Sequence, residues 1–259
     1  MESDKKPTIF VVNDDGVFAP GIRKLISLVR KLGNVVVMAP DSPMSGTGHA
    51  ITTRHPLRVR KLAEEEGYRE YSCNGTPVDC VKLGEQVVLE GKPDLMVCGI
   101  NHGSNAAINI VYSGTMAAVI ESAIGGVPSI GFSLLNYSMN ADFSGVDDYV
   151  LRICRKVLRE GLPDGICLNV NFPDVKGSDI KGIKVCRQAK SRWIEEFDVR
   201  KDPQNNKYYW LTGVFEKLDD TEDTDEWALD KNYVSLVPIQ FDFTAYSALP
   251  SIKKWDLDA

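Results

Sequence analysis

Two adjacent carboxylates, Asp14 and Asp15, follow the apolar run Ile9 to Val12 and precede Gly16. Like charges side by side repel, so holding both ionised calls for a cation between them, and hard carboxylate oxygens suit Mg²⁺, Mn²⁺ or Ca²⁺. Two later polar turns offer neutral donors of the same hard kind, Ser45 in the loop Pro40 to His49 and Asn101 in the turn Gly99 to Asn105. Asp14, Asp15, Ser45 and Asn101 together outline one divalent-cation site. Two carboxylates only neutralise a dication, so a phosphate dianion needs its charge met elsewhere. Ser113-Gly114-Thr115 meets it by opening a small-residue helix, whose first N–H groups are free and whose dipole is positive at that end. Each segment also has a plain reading, because Asn, Asp, Gly and Ser are ordinary turn and cap residues.

Positioning these residues requires a sheet. Ile9 to Val12 reads as a strand buried on both faces, the kind found in parallel sheets. Ile22, Leu25, Ile26, Val29 and Leu32 repeat at helical spacing up to Gly33, and Val35 to Ala39 is a second buried strand. Ile51 to Thr53, Leu57 to Lys61 and Tyr68 to Cys73 read as strands of a small insertion. Thr76 and Pro77 open a helix as N-cap and first residue. Leu95 to Cys98 is a further buried strand stopping at the Asn101 turn, and Ser129 to Ser133 is another. Asp147 to Arg159 is an amphipathic helix; Ile166 to Asn171, Ile183 to Cys186 and Tyr233 to Pro238 are strands. The alternation predicts an α/β protein with a mostly parallel sheet flanked by helices, and in such sheets ligands bind at the carboxyl ends of the strands.

The chain has 259 residues, 43% of them hydrophobic, which is enough for a substantial core as a single domain. Its 30 Lys and Arg against 36 Asp and Glu give a net charge of -6, so no global positive field draws in a nucleic-acid polymer or an anionic membrane. The polar N-terminus lacks a signal-peptide core and no apolar run approaches a membrane span, so a cytoplasmic protein is expected. Six scattered cysteines without a C-x-x-C pair read as reduced packing residues. Trp193 to Trp227 is charged, contains Tyr208-Tyr209-Trp210 and ends in the acidic stretch Glu216 to Glu226. It reads as an extended β-hairpin arm, about 191–229, projecting from a core of about 1–190 and 230–259. Three of the four tryptophans lie in or beside it, and a partner subunit is the economical way to cover them.

The segments N-D-D-G-V-F-A-P-G (13–21), A-P-D-x-x-x-S-G (39–46), G-T-P-V-D-C-V (75–81), G-I-N-H-G-S-N (99–105) and Y-S-G-T (112–115) closely resemble the survival protein E (SurE) family, and V-S-L-V-P-I-Q-F-D-F-T (234–244) is similar to its C-terminal signature. The resemblance implies a Rossmann-like, metal-dependent phosphatase acting on nucleoside 5′- and 3′-monophosphates, assembled as a homodimer or homotetramer through the arm. It implies one divalent cation per subunit, Mg²⁺ or Mn²⁺ with Ca²⁺ as a possibility, on Asp14, Asp15, Ser45 and Asn101. The phosphate falls on Asn101, Ser113, Gly114 and Thr115, and catalysis on Asp14 and Asn101.

The expected mechanism is hydrolysis in which the dication polarises the phosphoryl group and acidifies a water, with Asp14 orienting or deprotonating that water. His102, beside Asn101, is a second-rank candidate for contact with the leaving oxygen. The haloacid-dehalogenase-like alternative needs D-x-D after strand one, where Asn13 stands. A Mg²⁺-binding receiver module needs a phosphoacceptor aspartate ending its third strand, where the counterpart ends in Asn101. Nucleotide binding without turnover lacks both G-x-G-x-x-G after strand one and a P-loop.

Overall fold

In the computed structural model, which describes residues 6–257, the first strand, β1 (Thr8–Val12), sorts its side chains by parity. Ile9 and Val11 pack on one side of the sheet and Phe10 and Val12 on the other, all fully buried. A strand apolar at every position must be covered on both faces. Helices α1 (Pro20–Val29) and α4 (Asp147–Glu160) cover the first face, and α2 (Pro77–Leu83) and α3 (Gly114–Ile124) the second. Thr76 caps α2 as expected, in a reciprocal capping box with Asp79.

β1 pairs in parallel with β2 (Asn34–Pro40) on one side and β5 (Leu95–His102) on the other. From β2 the sheet continues through β4 (Tyr68–Cys73), parallel, to the antiparallel edge strand β3 (Val59–Glu65). From β5 it continues through β6 (Ser129–Leu134) and β7 (Ile166–Phe172), both parallel. Antiparallel β11 (Val234–Gln240) and short β8 (Ile183–Val185) complete that side. The chain therefore builds one half of the sheet outward from β1, then crosses back to β5 and builds the other. The carboxyl ends of β1 and β5 flank this reversal, where open α/β sheets bind ligands.

Tyr68–Cys73 is thus an interior strand of the main sheet, not part of a separate insertion, and Ile51–Thr53 is not a strand. The misleading feature is the polar alternation of β4: its buried Glu70 is matched by Arg23 of α1 at 2.6 Å and by the Tyr68 hydroxyl, so the polar side chains face a buried ion pair. β5 runs past Cys98 to His102 with a register shift between Cys98 and Asn101, which puts Asn101 on the strand end itself. Gly21 lets α1 cross this irregular stretch, since a Cβ there would overlap the carbonyl oxygen of Ile100.

The arm is a separate antiparallel hairpin of β9 (Ser191–Lys201) and β10 (Lys207–Lys217), with Phe197, Tyr209, Trp210 and Leu211 exposed. It is shorter than expected. Helix α5 (Asp225–Asp230) folds back on β11, where Ala228 packs with Cys186 and Val237. Trp227 is covered by Lys184, whose ammonium lies 4.2 Å from the ring centroid. That tryptophan needs no second subunit. All six cysteines are buried free thiols. No helix among the described residues is long and apolar enough to cross a membrane.

Candidate functional site

A cleft of about 350 Å³ opens at the sheet reversal and is lined by Asp14, Ser45, Asn101 and Ser113, with Tyr112, Tyr137 and Trp193 among its walls. Asp14 is only 3% exposed. The Thr115 hydroxyl donates to its Oδ1 at 2.6 Å. Burial, and then the charge of Asp15, push the Asp14 carboxyl up from 3.8 to about 6, against the lowering effect of the Thr115 donors. Burial also raises Asp15, opposed by the His102 backbone N–H, which donates to its Oδ2 at 3.1 Å. A carboxyl raised on folding stabilises the fold below its unfolded value and loses that contribution as pH climbs through the folded value. Between about pH 4 and 6 the cation-free protein therefore gives up on the order of 3 kcal/mol at Asp14.

The loop carrying Ser45 is tied to both sides of the cleft. The Met44 N–H donates to the Asp14 carbonyl at 2.7 Å, and the Gly48 N–H to the Tyr112 carbonyl at 3.2 Å. Asn101 donates its amide NH₂ to the Gly103 carbonyl at 3.0 Å, which leaves Oδ1 as its available oxygen. Ser113 caps α3 by accepting the Met116 N–H at 3.0 Å, and its hydroxyl hydrogen is still free to donate. A Cβ on Gly114 would lie 2.9 Å from Asp14 Oδ2, so the helix N-terminus rests directly on that carboxylate. Thr115, expected among the phosphate-binding residues, is fully buried and donates its hydroxyl to Asp14. His102 donates from Nδ1 to the Ser138 carbonyl at 2.9 Å, and its Nε2 is enclosed without a partner; its backbone, through Asp15, has the clearer task.

The donors fit a hard dication: a buried carboxylate whose ionisation is penalised until a positive charge arrives, a second carboxylate beside it, and neutral oxygens from Ser45 and Asn101. Among the described residues no group of three or more His, Cys, Asp and Glu side chains is suited to a metal, so a cation between Asp14 and Asp15 would need neutral oxygens to complete its coordination. Among the described residues no Lys or Arg lines the cleft.

Several supporting residues escaped the sequence reading. Asn105, Asn169, Asn171 and Ser133 form a buried amide network: Asn105 donates to Ser133 at 2.8 Å, Asn169 to the Asn105 carbonyl at 2.8 Å and Asn171 to Asn169 at 2.9 Å. The alternate asparagines of Asn169-Val170-Asn171 inside an apolar strand were its one visible signal. Asp225, read as part of an exposed acidic stretch, is buried and accepts N–H groups from Ala107 and Ala189, both at 2.8 Å. It thereby pins the turn that carries Asn109 and Tyr112 into the cleft. The link is between residues 118 apart, and no local pattern announces it.

Fold and cleft define the class: a Rossmann-like α/β protein that sets hard oxygen donors against a capped helix N-terminus at the reversal of a mostly parallel sheet. More narrowly, the chain belongs to the survival protein SurE family, whose model matches residues 9–195. It is 57% identical over 254 residues to the 5′-nucleotidase SurE of Flavobacterium psychrophilum, covering 98% of this chain and 99% of that one. It is 55% identical over 256 residues to the 5′-nucleotidase SurE of Christiangramia forsetii, covering 98% of each. The crystal structure of SurE from Aquifex aeolicus superposes with a TM-score of 0.82 at 42% identity, over 95% of this chain and 98% of that one.

Proposed function

We propose that the protein is a 5′-nucleotidase, hydrolysing nucleoside 5′-monophosphates, and 3′-monophosphates as well, to nucleoside and phosphate. Full-length similarity to proteins named 5′-nucleotidase SurE supports the activity. The observation that carries the chemistry is the contact between Asp14 and the N-terminus of α3, which joins the cation donors to the anion donors through one buried side chain. With no Lys or Arg among the described residues of the cleft lining, a cation and that helix end are what would meet a phosphate dianion. A receiver module would need a phosphoacceptor aspartate at the carboxyl end of β5, where Asn101 stands.

Asp14, Asp15, Ser45 and Asn101 would hold one divalent cation per subunit, Mg²⁺, Mn²⁺ or Ca²⁺. That cation supplies polarisation of the phosphoryl group and a lowered pKa for the attacking water. Asp14 would accept the proton of that water as the new P–O bond forms, and would return it to the departing nucleoside oxygen as the ester P–O bond breaks. Asn101 orients a phosphoryl oxygen, and the Ser113 hydroxyl and the Gly114 N–H at the start of α3 receive the rest. Below about pH 6 a proton competes for Asp14, so affinity for the cation falls as the solution is acidified. The test is phosphate release from a panel of nucleoside monophosphates by metal-stripped protein, resupplied with Mg²⁺, Mn²⁺ or Ca²⁺ between pH 5 and 8. The expected result is strict metal dependence, with half-saturation shifting to higher metal concentration below pH 6. Full turnover in chelator, or release at metal-independent rates, rejects the reading.

The whole chain acts as one domain, and β9–β10 pairs subunits into a homodimer or homotetramer, because among the described residues nothing buries the aromatic residues at its far end. The six reduced thiols fit a cytoplasmic location. Excising Phe197–Leu211 and joining Glu196 to Thr212 through Asn-Gly keeps the hairpin register. Light scattering should then report a smaller species, and an unchanged mass would move the interface elsewhere.

A further inference from the structure

We propose that Trp193 and Tyr137 form the platform on which the nucleobase stacks, so that the enzyme selects monophosphates for carrying an aromatic base and discriminates little among bases. The inference rests on the nucleotidase reading and extends it to the far end of the substrate. Both rings line the cleft that contains Asp14 and Ser113. Trp193 is held by its edges: its Nε1–H donates to Asn109 Oδ1 at 2.9 Å, and it packs against Phe215 with centroids 5.5 Å apart at 65°. It remains 38% exposed. Tyr137 is 73% exposed and lies over Gly103, where a Cβ would overlap its ring, in a backbone conformation with φ +109° that favours glycine. A large flat ring fixed at its edges and open to a polar cleft is a stacking surface.

The same geometry limits readout of base identity. Part of the amide capacity in the cleft is already engaged, Asn109 Oδ1 by Trp193 and the Asn105 NH₂ by Ser133, and among the described residues the cleft has no Lys or Arg to read a base edge. Stacking tolerates any base, because every base has a π-face. The cleft volume of about 350 Å³ lies in the range of roughly 300–1,000 Å³ usual for small-ligand sites. Trp193 comes from the base of the hairpin, so the arm supplies part of the substrate site of its own chain.

The test compares KM and kcat for AMP, UMP and glycerol 2-phosphate in the full-length protein and in Trp193→Ala, Trp193→Phe and Tyr137→Ala at saturating Mn²⁺, with adenosine binding measured by calorimetry. Trp193→Ala should raise KM for AMP about tenfold and for UMP somewhat less, and leave glycerol 2-phosphate within about twofold. Trp193→Phe restores most of the loss by keeping a π-face. Tyr137→Ala, at an exposed position with little to lose in folding, should shift the two nucleotides in the same sense. A merely structural role for Trp193 raises KM for all three substrates alike, and that outcome, or no change for AMP, overturns the proposal. If the unaltered protein hydrolyses no phosphomonoester, the nucleotidase reading has failed. Adenosine binding then decides the stacking site alone: loss in Trp193→Ala supports it, and unchanged affinity overturns it.

Discussion

Asp14→Asn is expected to lose about a hundredfold or more of turnover that no excess of cation restores, whereas Asp15→Asn recovers part of its rate as metal is raised. The two carboxylates differ in setting. Asp14 is enclosed, takes the Thr115 hydroxyl on Oδ1 and is pushed up to about 6; Asp15 is less buried and is held by the His102 N–H. An amide at 14 still accepts the Thr115 hydroxyl on its oxygen, so the fold survives. It also removes a buried charge, and the cation-free variant should melt no lower than the parent at neutral pH. It has no basic oxygen for the proton of water, and metal cannot replace that. An amide at 15 mainly removes ligand charge, a loss that mass action reverses. Metal titrations of both variants at saturating substrate check this. Equal rescue would reduce Asp14 to a ligand and leave the water to be activated without it.

Gly114→Val should abolish phosphate release and also weaken the cation site. From the motif alone, a side chain at 114 is expected to block phosphate and leave metal binding intact. The geometry corrects this, because a Cβ there would stand 2.9 Å from both Cβ and Oδ2 of Asp14, closer than two such atoms approach without one of them moving. Either α3 retreats or Asp14 turns, and both separate the cation donors from the helix N-terminus. A displacement of about 1 Å at a reacting centre is enough for a loss near a hundredfold. Mn²⁺ binding by calorimetry without substrate distinguishes the cases. Retained affinity with lost turnover would restore the simple steric reading, and full activity would place the phosphate away from α3.

Much of the site was legible because its donors sit where local pattern breaks: an apolar strand ending in Asp14-Asp15, a hydroxyl-rich loop at Ser45, a cap at Ser113. Such junctions carry a signal in a few consecutive residues. The errors came where a partner is remote. Tyr68 to Cys73 reads as part of an insertion because the Arg23 that pairs with its Glu70 lies 47 positions away, and Asp225 reads as part of the arm because its donors are Ala107 and Ala189. The Trp227 ring was assigned to another subunit when Lys184 covers it.

By itself the sequence determined the strand and helix types, the mostly parallel α/β class, the acidic pair and the helix cap, since these follow from periodicity, charge adjacency and capping within about ten residues of chain. Only the tertiary structure decided that β4 is interior, that Thr115 serves Asp14, that Gly114 abuts the same carboxylate, and that Trp193 closes the cleft. Burial and distance are properties of the packed chain. They enclose Asp14 more fully than Asp15 and push the Asp14 carboxyl up to about 6, and two neighbouring letters of identical chemistry carry no trace of that difference in burial.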